Sequence, residues 1–366
     1  MQIDFHHGVV YVIARLADFS HAQAEVIAYC SQYVDDAVNS GTIKFDNGAM
    51  YSRISSAHKA LDYRNFSELE NQHVWLPFHF LPGNGGQPEE QNPDGSFIQK
   101  IICRPASPVA RQMLEACIAD RNERYGLHRL GVTMHVFADT WSHQRFAGVC
   151  HKANSITMLD ENNKPNASFL DRIKKYFGDA FDRTANHFIS DVFPLGHGAA
   201  LSHPDKPFLA WQYKDNDGNT IRRSNTDIFA AAAHELCKAM QRFRAGSASA
   251  DVPGLRAADR DKIGRWMADV QDCEGPDRHQ KWLDLIGRGE FGFPAVKLQY
   301  RDKGPGSWKY RALGTERDVD LKDEVFTYTP AFLTSDWKLF HDALIAHRFI
   351  VIHKILPRFG ICAASQ

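Results

Sequence analysis

The stretch LHRLGVTMHVFADTWSHQRFAG, residues 127–148, sets three histidines and an aspartate among apolar residues. Apolar surroundings are costly for such groups unless something compensates them. The apolar periodicity and the lack of internal proline predict a helix, on which each residue turns about 100° around the axis. His128, His135, Asp139 and His143 then fall within roughly 80° of one another, on one stripe. Within that stripe His135, Asp139 and His143 stand at i, i+4 and i+8, so side chains on adjacent turns converge. Imidazole and carboxylate together suit zinc, and also manganese or iron. A buried hydrogen-bonded network or a wet helix face is the plainer explanation, but three such groups at this spacing favour a metal. One helix cannot complete the site.

Further ligands must come from elsewhere in the chain. DFHHG puts Asp4, His6 and His7 within four residues, where a short N-terminal segment could insert into a site. A second helix ends in YVDDA, and Asp35 and Asp36 in its last turn are electrostatically disfavoured there unless a cation is bound or they face solvent. His58 lies one turn before Leu61, as a ligand or as an edge histidine of an apolar face. His187 and Asp191 repeat the His-x3-Asp spacing, His197 follows in a Gly-rich turn, and His203 and Asp205 share that loop. His21, His73, His79, His151, His279, His341, His347 and His353 lack a partner at useful spacing and read as surface or packed residues. His234-Glu235 opens like the zinc-protease signature, but Lys238 stands where its second histidine belongs, so that motif is absent.

Composition narrows the function classes. With 366 residues, 43% hydrophobic and 24% charged, the chain can bury a large core and is ordinary for a soluble globular protein. A formal net charge of −1 gives no electrostatic case for nucleic acid or an anionic membrane. The 18 histidines are the unusual entry of the composition, since His is the commonest metal ligand and a frequent acid or base. The first twenty residues show no basic leader or small-residue cleavage site, and their apolar run is too short to span a bilayer. Seven cysteines without a CxxC pair read as reduced thiols. Together these predict a cytoplasmic protein, or one exported without a cleaved signal peptide.

The elements that must position these residues are mainly helical. Helices are expected over 6–17, from an N-cap at Ser20 to about Val38, over 49–62, 108–125, 126–146 and 166–192. Residues 80–96 and 193–213 read as irregular, and KDNDGNTIRR as a turn between two short strands. Thr226 is a candidate cap for a helix over 227–243. The alternating segment 295–313 reads as a hairpin turning at Gly304-Pro305-Gly306, and 335–355 as a last amphipathic helix. The fold expected is mainly α, a single large helical domain with long irregular loops and a small β-hairpin. Residues 1–245 would form a metal-binding core and 246–366 a helical elaboration packed on it.

The segments DFHHGVVYVIARLA, QYVDDA, HVFADTWSHQRFAG and GHGAALSHPDKPFLAWQY together resemble an uncharacterised bacterial family described only as a domain of unknown function. More remotely, the order of N-terminal ligands, an early Asp, a His, then His-x3-Asp and a further His resembles the zinc-dependent phospholipase C and single-strand nuclease superfamily. That likeness implies an all-helical fold and a cluster of two or three zinc ions cleaving phosphate esters. It matches His135 and Asp139 to the superfamily's His-x3-Asp, with Asp139 bridging metals, and His58 with Asp36 or Asp35 to the upstream pair. His143 would supply the following His, four residues after the Asp rather than about six, and His187 and Asp191 the last pair. The superfamily uses a mature N-terminal amine, for which Asp4, His6 or His7 would substitute.

Such a site holds a phosphate between ions and activates water, with Asp35 orienting it. The implied substrate is a small-molecule or lipid phosphoester, and amide or lactone hydrolysis is the near alternative. A non-catalytic reading also stands, in which metal staples loops onto a helical core as a binding module or effector; a closed four-ligand site would mark it.

Overall fold

The N-terminal segment forms one continuous helix that begins with a π-helical turn, Asp4–Val9, and runs on as α1, Val10–Leu16. All six residues of the π turn are buried, so Asp4, His6 and His7 point into protein rather than solvent. The computed structural model describes residues 1–57, 68–159, 196–317, 320–321 and 323–362.

Helix α2, His21–Asp36, starts at Ser20 through a capping box: Ser20 Oγ accepts from the Gln23 amide, and the Gln23 side chain accepts from the Ser20 amide. Strands β1, Gly41–Phe45, and β2, Met50–Arg53, follow as an antiparallel hairpin. Of the helix expected over 49–62, the described part does not form: residues 50–53 are strand, because Asp46-Asn47-Gly48 is a turn, and 58–62 lie outside the described residues. Gly48 has φ +84°, and Asn47 Oδ1 accepts from the Ala49 amide. Then come α3, Glu68–Phe78, α4, Ile98–Ile101, and α5, Pro108–Ala119, capped by Ser107. The helix expected to reach residue 125 stops at Ala119 and passes through a 3-10 turn, Asp120–Asn122.

Helix α6, Gly126–Ser142, is the axis of the molecule. All its residues but Leu127 and Trp141 are buried, as expected of a helix packed on every side. It packs against α2 and α5, and against two later helices: α7, Asn225–Ala245, and α11, Asp336–Ile350. At Gly131 the approach of α2 is so close that a Cβ would lie 2.5 Å from Ile27 O. The helix ends at Ser142 rather than near residue 146, with His143 as its C-cap.

Strands β3, Thr157–Leu159, β4, Ala210–Lys214, and β5, Thr220–Ser224, make an antiparallel sheet in which β4 and β5 flank the expected turn. Ser224, not Thr226, precedes α7; the Thr226 hydroxyl donates to Pro207 O instead. Helices α8, Ala257–Asp269, α9, Gly275–Gly287, and α10, Trp308–Leu313, follow. The hairpin expected over 295–313 does not form. Ser307 caps α10 instead, and Trp308 is buried and stacked on Tyr29 with ring centroids 3.8 Å apart. A short β6, Val325–Phe326, pairs parallel with β1, giving the order β2-β1-β6.

The main hydrophobic cluster joins Phe5, Val10 and Met134 to Ile263, Trp282 and Val351, so N-terminal and C-terminal segments share one core. The molecule is mainly α with two small sheets. Among the described residues no helix is long and apolar enough to cross a membrane. The helix expected over 166–192, with His187 and Asp191, and the candidate His58 lie outside the described residues.

Candidate metal centre

Helix α6 delivers the stripe expected of it. His135 Nε2 lies 3.3 Å and His143 Nδ1 3.6 Å from Asp139 Oδ2, and all three side chains are buried. The π turn brings His6, whose Nε2 is 3.2 Å from Asp139 Oδ1 and whose ring stacks on His135 at 3.9 Å. Helix α2 brings Asp35, with Oδ1 at 3.8 Å from both His135 Nε2 and His79 Nδ1. The segment before β4 brings His197 and Asp205, with His197 Nε2 3.4 Å from Asp205 Oδ2 and His143 Nε2 3.5 Å from Asp205 Oδ1. Between the two carboxylates lies the buried Met1 amine, 2.6 Å from Asp139 Oδ1 and 3.2 Å from Asp205 Oδ1.

Three sets of ligand atoms therefore converge: His6, Asp35 and His135; His79, His135 and Asp139; His143, His197 and Asp205. Two members were missed by sequence spacing. His79, read as an ordinary histidine, follows α3 at its C-terminal end and reaches the cluster with Nδ1 3.3 Å from His135 Nε2. Its sequence neighbourhood, HVWLPFHF, offers no partner at helical spacing. Asp205 closes the loop that His197 opens, and the signal for it was an acid in that same small-residue loop.

Other expected ligands are placed elsewhere. Asp4 is buried in an ion pair with Arg278, whose Nε donates to Oδ2 at 2.6 Å, so a cation is already supplied. Asp36 accepts hydrogen bonds from Gln32 and from the Tyr300 hydroxyl, which answer the unfavourable helix end without metal. His7 pairs with His279, and His128 on the α6 stripe reaches Asp336 Oδ1 at 3.0 Å.

The imidazoles are oriented by backbone carbonyls. His135 Nδ1 donates to Ser31 O at 2.7 Å, His79 Nε2 to Ser56 O at 2.8 Å, His143 Nδ1 to His79 O at 2.7 Å and His197 Nδ1 to Leu201 O at 2.8 Å. A carbonyl only accepts, so each of these nitrogens carries a proton, and in the neutral ring the other turns a lone pair inward. Leu201 adopts φ +53°, a costly backbone for a leucine, and its carbonyl is the one that holds His197. Ser56 is itself tied to α2, its hydroxyl donating to Val34 O at 2.7 Å.

The protonation states of most of these groups suit ligation; Asp35 is the exception, its carboxyl pushed well above the usual range by burial and by Asp139. Burial pushes His135 and His197 down to about 4 against the neighbouring carboxylates, and burial with the adjoining His135 and Met1 amine holds His6 well below its ordinary value. Burial opposes charge on Asp139, but His143, the Met1 amine, His135 and His6 hold its carboxyl well below the usual range. Asp205 is likewise held low, against its burial, by the amine, His197 and His143. The amine, which burial alone would depress, is raised to about 11 by Asp139, Asp205 and Asp35. Neutral imidazoles and ionised carboxylates are the forms that bind divalent cations.

The donor set also fits a metal by what it leaves unmade. Both ring nitrogens of His6 and Asp205 Oδ1 are buried without a hydrogen bond among the described residues. The chain matches the model of a family of unknown function, DUF6765, over residues 1–355. It belongs to that family. In this DUF6765 member His6 of DFHHG, Asp35 of YVDDA, His135 and His143 of HVFADTWSHQ, and His197 and Asp205 of GHGAALSHPD thus meet around Asp139. No curated protein and no solved structure matches the chain.

Proposed function

We propose that the protein is a metal-dependent hydrolase of phosphoester bonds, with zinc as the metal and two or three ions in the cluster. One observation carries most of the reading. His79 Nδ1 and His135 Nε2 face each other at 3.3 Å, and both lie within 3.5 Å of Asp139 Oδ2, while their other nitrogens are spent on carbonyls. When the proton of each ring sits on its carbonyl-bonded nitrogen, three acceptors converge with none between them, an arrangement that a bound cation relieves.

Divalent ions bound there would supply Lewis acidity towards a phosphoryl oxygen and the charge that favours attack by water. Asp139 faces His6 with Oδ1 and the other three imidazoles with Oδ2, the disposition of a carboxylate shared between two positions. Asp35, with 31% of its side chain exposed where Asp139 has 1%, is the carboxylate open to solvent and the group to take a proton from an attacking water at Oδ1. The remote likeness to the zinc-dependent phospholipase C superfamily agrees with the same reading, with Asp35 rather than Asp36 as the early acid and His79 as a histidine of the cluster, while His58 lies outside the described residues.

Asp139→Asn tests it, because the substitution removes a charge while keeping the shape. Metal analysis is expected to show the loss of at least one equivalent, and hydrolysis of a chromogenic phosphodiester to fall about a hundredfold or more. A buried polar network without metal predicts unchanged metal content and a stability change of about 1–3 kcal/mol. Wild-type protein that carries no transition metal and gains none on reconstitution overturns the proposal, and turnover of lactones or amides alone reassigns the substrate.

A further inference from the structure

A concave feature lies beside the segment that follows α6. It is a groove of about 780 Å³ between the start of α5, the segment after α6 and the β4–β5 turn. Arg104, Arg111, Arg145 and Lys152 line it, all exposed, and none has a carboxylate in ion-pair range among the described residues. Two acids, Asp215 and Asp217, lie at the same groove, but Asp215 is engaged by its own turn, accepting from the Asp217 and Asn219 amides. In a chain of net charge −1, this is a local cationic concentration.

The groove also holds an unanswered hydroxyl. Tyr213 lines it, is 1% exposed, and its hydroxyl has no hydrogen-bond partner among the described residues. A buried hydroxyl left so is costly, and an anionic oxygen in the groove would accept its proton. Arg145 is held in place at φ +74° by its amide, which donates to Cys103 O at 3.1 Å. Ile98, Ile102 and Ile156 give the groove an apolar wall, and its volume exceeds what a lone inorganic anion fills.

We propose that this groove binds a small soluble molecule bearing a phosphate or diphosphate group, with the anion among the four cations and the Tyr213 hydroxyl. Arginine forks match phosphate oxygens in pairs, and the isoleucine wall takes the organic part. The groove is separate from the metal centre: none of the cluster residues lines it, while Cys103 and Phe146 do, and Phe146 meets the His197 ring edge-on at 6.2 Å. The proposal therefore does not rest on the hydrolase reading.

Calorimetric titration with pyrophosphate tests it. Wild type and Asp139→Asn are expected to bind alike, whereas the double variant Arg104→Gln with Arg145→Gln loses about tenfold or more in affinity. Tyr213→Phe is expected to weaken binding several-fold while raising the melting temperature of the unliganded protein, since it removes the unanswered hydroxyl. Because the two arginines are exposed, their variant keeps its fold, which melting checks. Absent binding, equal binding by the double variant, or loss of binding in Asp139→Asn overturns the proposal, the last placing the anion on the metal cluster. Co-sedimentation with phosphatidylcholine–phosphatidylglycerol vesicles without pyrophosphate binding overturns it in favour of a lipid surface.

Discussion

Asp4 and Asp139 are both buried acids beside the N-terminal turn, and their partners divide their roles. Asp4 has a full cationic partner in Arg278; Asp139 meets the Met1 amine at Oδ1 and is ringed besides by four imidazoles. Asp4→Asn is expected to leave the Arg278 charge uncompensated and to cost about 3–5 kcal/mol of stability. Metal content per folded molecule stays unchanged, which melting and metal analysis on one preparation would check. A folded Asp4→Asn protein lacking a metal equivalent would return Asp4 to the centre. The sequence made His135, Asp139 and His143 legible because helical spacing alone places them together. His6, Asp35 and His197 were legible as unusual groups near apolar or Gly-rich segments. His79 and Asp205 were not, since each meets the others only after separate segments fold against one another. Asp36 misled because Tyr300, 264 residues away, supplies the hydrogen bond that spacing could not reveal.

The pairing of α2 with α6 fixes the depth of the centre. Ser31 and Asp35 on α2 meet His135 across that contact, and Gly131 sets how close the helices come. Gly131→Ala puts a methyl 2.5 Å from Ile27 O and from the Cys30 Cβ, so the helices must part. The expected cost is about 1–3 kcal/mol, despite the better intrinsic helix propensity of alanine, with weaker metal retention as Asp35 withdraws. Thermal melting with metal analysis against competing chelator reads both effects; a stabilised Gly131→Ala with wild-type retention would show that the contact is not limiting. Helix caps such as Ser20 and helical periodicity in α6 and α11 were readable from local sequence. The segment at 295–313 was not. Its alternation of apolar and polar residues arises from Trp308 packing on Tyr29, a contact across the fold rather than a strand pattern.

Acid stability is a property of the whole fold. Burial, with Arg53 nearby, pushes His341 down to about 3 from an ordinary 6.5; burial and Arg129 put His347 well below it; and burial puts His279 at about 4. The folded state therefore binds fewer protons than the unfolded chain between those values and 6.5. Stability is full above pH 6.5 and falls as pH drops through it, by about 1.4 kcal/mol per pH unit for each such group until its folded value is reached. Urea titrations at pH 7.5, 6 and 5 would show it, and a flat profile would mean these imidazoles are solvated. The hydrogen bonds around the centre close on themselves: His135 to Ser31 on α2, Val34 on α2 to Ser56, Ser56 to His79, His79 to His143, and His143 back to α6. Mechanically this is a closed linkage, in which each bar is located from both ends and no joint can swing alone. Cutting one joint turns it into an open arm, whose free play grows with every remaining hinge. The tolerance of the metal centre is then set by the circumference of that loop, so a change at Ser56, which no cation would touch, is felt at every imidazole the loop carries.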